Sequence, residues 1–127
     1  MPKSVAPYLT MATNAMIESN FILAIENYNN GASAWKRTMV EFDSTAELYF
    51  EYMIGSVYMR AGKYEHAFHQ FYKCRKFADQ SKIPFSNPDR SLPYFGLGEV
   101  FYEMEEYEVA ARAFLKAREI RESVLGL

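Results

Sequence analysis

One spacing constrains this chain more than any other feature. Ala24, Ala67 and Ala110 stand 43 residues apart, and their neighbours keep the same phase. Phe21, Tyr64 and Tyr107 are all aromatic; so are Tyr28, Phe71 and Phe114. Gly31, Cys74 and Ala117 are all small, as are Ala12, Gly55 and Gly98, and Met11, Ile54 and Leu97 are all large and apolar. Ala15, Tyr58 and Phe101 share the next slot less well. A period of this length means stacked copies of one supersecondary unit rather than a single closed core.

Each copy reads as two helices. In the second of each pair the apolar and small residues recur at i, i+3, i+7 (Tyr64, Ala67, Phe71, Cys74; Tyr107, Ala110, Phe114, Ala117), which puts them on one face. The small residues let helices approach and the aromatics fill the space between pairs. Short turns separate partners at Ser19-Asn20, Ala61-Gly62-Lys63 and Glu105-Glu106, and Gly62 suits the left-handed residue that ends a helix. Ser44 with Glu47 has capping-box spacing, Ser91 precedes Pro93 as a cap before a first-turn proline, and Ser4 with Pro7 repeats that arrangement. Pro84, Asn87 and Pro88 mark the longest break. The expected helices are 5–18, 21–41, 45–61, 64–81, 91–104 and 107–125, grouped as repeats 5–41, 45–81 and 91–125 of one domain, 1–127.

The residues resemble the tetratricopeptide repeat, whose pattern contains Leu-Gly-x2-Tyr followed by Ala-x3-Phe. Ile54-Gly55-Ser56-Val57-Tyr58 and Leu97-Gly98-Glu99-Val100-Phe101 match the first part; Ala67 to Phe71 and Ala110 to Phe114 match the second. Repeat one is degenerate, with Met11-Ala12 for Leu-Gly, but keeps Ala24 and Tyr28. The family's early Trp slot holds Tyr8, Glu51 and Tyr94, so Glu51 departs from it. The period exceeds the family's usual 34 or so. With the run Ile120-Arg121-Glu122-Ser123-Val124-Leu125-Gly126, that is similar to the long repeats of the kinesin light chain type.

The resemblance implies an all-α fold, a right-handed alpha-alpha superhelix (solenoid) of three helix pairs. It also implies an inward face carried by the first helix of each pair. Those positions are Ala6, Leu9, Thr13, Met16 and Ile17; Tyr49, Tyr52, Ser56, Met59 and Arg60; and Leu92, Phe95, Glu99, Tyr102 and Glu103. Tyr and Met are residues that interfaces favour. The implied function is a non-catalytic module that binds a peptide or helix of another protein. Tyr49, Tyr52, Met59, Phe95 and Tyr102 would receive apolar anchors, and Arg60, Glu99 and Glu103 would set orientation. Some relatives clamp acidic chaperone tails with Lys, Asn and Arg here. The matching positions hold Leu9, Thr13, Ser56, Phe95 and Glu99, so no such binding is expected.

Two alternatives stand beside that reading. The aromatics could pack on a flanking helix of a longer parent array, or the apolar end at Val124, Leu125 and Leu127 could contact another copy and make a homo-oligomer. Other classes find little support. Lys plus Arg is 14 against 16 Asp plus Glu, a net charge of −2, which does not suit a nucleic-acid binder. The longest strictly apolar run is Phe21–Ile25, far below the roughly 20 residues of a membrane span. A single cysteine, Cys74, precludes an intramolecular disulfide and fits a reducing, cytoplasmic setting; the long-repeat resemblance adds cytoskeletal or ciliary association. Cys74 sits in a small core slot, and His66 and His69 are too few ligands for a metal site and fall on an outer face. No phosphate loop, His-Glu-x-x-His or Gly-x-Ser-x-Gly occurs, so neither catalysis nor a cofactor is expected.

Overall fold

The structure, a computed structural model, describes residues 1–38, 42–84 and 86–126. These residues form α1 (Ala6–Ile17), α2 (Phe21–Lys36), α3 (Ser44–Arg60), α4 (Tyr64–Gln80), a 3-10 turn (Pro88–Ser91), α5 (Leu92–Glu103) and α6 (Tyr107–Leu125). The fold is all-helical, as expected. The pairs α1–α2, α3–α4 and α5–α6 pack within themselves, α2 packs on α3, and α4 packs on α5.

The three intra-pair turns are one device used three times. Ser19, Gly62 and Glu105, 43 residues apart, have φ of 58°, 74° and 63°. At each turn the next amide reaches back five residues: Asn20 to Ala15, Lys63 to Tyr58 and Glu106 to Phe101, at 2.8, 2.9 and 2.8 Å. The left-handed residue's own amide bonds Met16, Met59 or Tyr102 at 3.0–3.1 Å. These are Schellman closures, which satisfy the orphan carbonyls of the first helix. Only Gly62 adopts the left-handed backbone without a steric cost.

Some boundaries differ from the sequence reading. The second helix, expected to run to 41, ends at Lys36. Thr38 folds onto its end, with both its amide and its hydroxyl donating to the Trp35 carbonyl at 3.0 and 2.7 Å. The Trp35 ring meets Phe42 at 5.4 Å and Phe50 at 6.2 Å, which ties the end of α2 to α3. Residues 39–41 lie outside the described residues. The cap of α3 is Asp43, not Ser44: its extended backbone lets a carboxylate oxygen accept from the Ala46 amide at 2.9 Å, and a negative charge suits a helix N-terminus. Val5, buried and without a side-chain cap bond, replaces Ser4 at the start of α1. Ser91 precedes α5, but its hydroxyl donates to the Pro88 carbonyl at 2.7 Å and accepts from Arg121 at 3.2 Å instead of capping.

The core runs as clusters between neighbouring helices. Val5, Ala12, Ala15, Ala24 and Tyr28 of the first pair meet Phe50, Ile54 and Val57 of α3. Ala67 and Phe71 of α4 meet Leu97 and Val100 of α5. Phe71 is fully buried between two glycines. A Cβ on Gly55 of α3 would lie 2.5 Å from its ring, and one on Gly96 of α5 would lie 2.6 Å away. Gly98 holds Phe114 in the same way, at 2.7 Å. The glycines are there because a ring occupies the space their side chains would take.

The connection between α4 and α5 is pinned rather than loose. Buried Arg90 pairs with Asp79 at 2.7 Å, and Asn87 donates to the Thr45 hydroxyl at 3.1 Å. Sequence reading took this stretch for a plain break, because burial of an arginine depends on a carboxylate eleven residues earlier.

Candidate functional site

Helices α1, α3 and α5 share a face. None of the fifteen inward positions is fully buried, whereas Ala12, Ala15, Phe50, Ile54, Gly55, Val57, Leu97, Gly98 and Val100 on the same helices are. Some inward positions still pack in part: Leu9, Met16, Tyr52 and Met59 lie against the core clusters.

At the centre of that face is a hollow of about 300 Å³, lined by Thr13 and Met16 of α1, Tyr28 of α2, Met53, Ser56, Met59 and Arg60 of α3, and Glu99 of α5. Three thioethers make its wall adaptable. Thr13 and Ser56 donate their hydroxyls to the carbonyls one turn back, Leu9 at 3.0 Å and Tyr52 at 3.2 Å, so their oxygens remain acceptors toward the hollow. Glu99 is half-buried, and its carboxyl is pushed above the usual range, first by desolvation and then by the charge of Glu103 one turn on. Among the described residues neither Glu99 nor Arg60 forms an ion pair.

Of the eight residues singled out from sequence, the hollow brings together Met59, Arg60 and Glu99. The others lie around it. Tyr52 is half-buried against Phe71, with ring centroids 5.5 Å apart, and burial raises its hydroxyl's pKa. Phe95 meets Phe114 edge-on at 5.6 Å and lies beneath the Arg121 guanidinium. Both rings brace the array as well as facing the groove. Tyr49 stands edge-on to Phe50 at 5.5 Å and lines a separate depression with Leu9, Trp35, Asn87 and Asp89. Tyr102, 56% exposed, meets only Tyr107 among the ring pairs of the described residues, and Glu103 is exposed beside it.

Sequence reasoning missed Tyr28 and Met53 as lining residues. Tyr28 holds the slot of Phe71 and Phe114, and its extra hydroxyl was the available signal: a buried ring slot that keeps an oxygen needs somewhere polar to put it. A larger depression, about 670 Å³, was not anticipated either. It lies at the turn ends of pairs one and two, among Glu18, Phe21, Ile22, Ile25, Tyr58 and Lys63.

Groups with catalytic potential have structural surroundings. Cys74 is fully buried, and desolvation pushes its thiol up to about 12, far from a thiolate at neutral pH. His66 lies tilted against Tyr58 at 5.4 Å and His69 meets Phe68 edge-on, both on exposed positions of α4. Among the described residues no group of three His, Cys, Asp or Glu is placed to hold a metal, and no helix is long and apolar enough to cross a membrane.

Paired helices at a constant period, Schellman turns in phase and glycine-clamped aromatics define a helical-repeat protein. The tetratricopeptide repeat model matches residues 44–123, most of the chain, and the chain belongs to that family. No curated protein matches it. The family's repeats are generally non-catalytic modules of protein–protein interaction, and membership suggests an interaction module here.

Proposed function

We propose that the chain binds a peptide or helix of another protein along the face of α1, α3 and α5. The observation carrying this is the accessibility of apolar and aromatic side chains there, Ile17, Tyr49 and Tyr102 above all, on helices whose opposite face is already packed. The ligand has hydrophobic and basic character. Its apolar anchors meet Tyr49, Tyr52, Met59, Phe95 and Tyr102, while Arg60, Glu99 and Glu103 fix its direction. The single buried thiol supports a cytoplasmic setting. Photo-crosslinking from benzoylphenylalanine at Thr13 and Tyr102, against Arg112 on α6 as control, tests the reading in cell lysate. Adducts from the first two positions alone support it; equal adducts from all three contradict it.

A second reading has one observation in its favour. Leu115 and Leu125 of α6 are 54% and 71% exposed, which suits contact with another copy or with further repeats of a longer array. Light scattering over a concentration series separates it: a rising mass favours self-association and a constant monomer mass opposes it.

A further inference from the structure

Resting on the groove reading, we infer that the hollow between Met16, Met53, Met59 and Glu99 is a pocket for one long cationic side chain, a lysine or arginine of the bound partner. At about 300 Å³ it lies at the floor of the range for small-molecule sites, room for a single side chain and not for a folded ligand. Its chemistry divides along its length. The three thioethers form a soft apolar wall suited to a methylene stem. Glu99 supplies the one carboxylate among its lining residues besides the acceptor oxygens of Thr13 and Ser56. That carboxylate is half desolvated and repelled by Glu103, and among the described residues it forms no ion pair. An incoming ammonium or guanidinium relieves both. Arg60, exposed at the rim, stays in water and faces the ligand's backbone carbonyls or carboxylates, so an acidic side chain is drawn to the rim and kept from the pocket.

The test uses methionine-methyl NMR with three probes: N-acetyl-lysine methylamide, the norleucine analogue that keeps the stem without the charge, and the glutamate analogue. The lysine probe is expected to bind at about 1 mM. It should shift the Met16, Met53 and Met59 methyls while Met1, Met11 and Met104 stay in place. Norleucine and glutamate should bind at least tenfold more weakly, and Glu99→Gln should lower lysine affinity at least tenfold with thermal stability retained. Norleucine binding as well as lysine, an unchanged affinity in Glu99→Gln, or lysine shifts away from these three methyls would each overturn the assignment. Failure of the broader groove reading shows elsewhere, in crosslinking and partner capture, so the two can fall separately.

Discussion

Gly55→Ala is the sharpest test of how the pairs are held together. In an exposed helix interior alanine would stabilise by about 1 kcal/mol over glycine. Here the new Cβ would stand 2.5, 2.7 and 3.0 Å from three atoms of the Phe71 ring, against a comfortable separation of about 3.5–4.0 Å. The ring must retreat by about 1 Å. It has nowhere to go, because Gly96 of α5 already admits it so closely that a Cβ there would lie 2.6 Å away. Overpacking costs about 1–3 kcal/mol, and a side chain clamped from both sides belongs at the upper end. After the gain in helix propensity, the expected net loss is about 1–2 kcal/mol, or some 4–8 °C for a chain of this length. Urea unfolding followed by circular dichroism measures it. Phe71→Leu in the Gly55→Ala background should recover part of the loss, with a coupling of about 1 kcal/mol or more in the double-mutant cycle. A Gly55→Ala protein that gains the full propensity increment would refute the clamp.

Other perturbations have equally definite signs. Glu105→Gly removes a left-handed non-glycine residue and should raise stability by about 0.5–1 kcal/mol, whereas Gly62→Ala, at φ 74° in open space, should lower it by about 1 kcal/mol in the same denaturation assay. Folding raises the Glu99 carboxyl above its ordinary 4.5, so its contribution to stability is full below that value and is lost as pH rises through the raised one. Glu99→Gln should therefore be slightly more stable than the parent at pH 7, by about 1 kcal/mol or less for a half-exposed group, with the gain gone near pH 3 in paired thermal melts. Asp79→Ala deprives the buried Arg90 of its carboxylate and should cost about 1–3 kcal/mol, and high salt should not erase the difference.

What the sequence revealed and what it hid follow from the range of the interactions. Ala24, Ala67 and Ala110 are buried as the repeat required, because a periodic pattern reports on every copy at once. The five helices other than α2 begin and end within two residues of expectation, since their limits are set locally by turns and by Pro7 and Pro93. The end of α2 was not legible because Trp35 answers to Phe42 and Phe50, which lie beyond the helix itself. The cap at Asp43 was missed because Ser44 fits the same local pattern one residue later. On the candidate face, the family resemblance implied which residues look inward. It could not say that Tyr52 and Phe95 also brace Phe71 and Phe114, because those ring contacts are made across each helix pair, between residues 19 apart in the chain. Alanine at either position would perturb packing along with the proposed binding, so the residues that test the proposal alone are the exposed ones, Arg60, Tyr102 and Glu103.

Those three residues give the most direct measurement. Wild-type protein and the Arg60→Glu/Tyr102→Ala/Glu103→Lys variant, matched in helicity and melting temperature, are used side by side to capture partners from cell lysate, and the retained proteins are identified by mass spectrometry. A module that works through the face of α1, α3 and α5 predicts partners held by the wild type and lost by the variant. The same partners on both would contradict it and move function to the exposed end of α6.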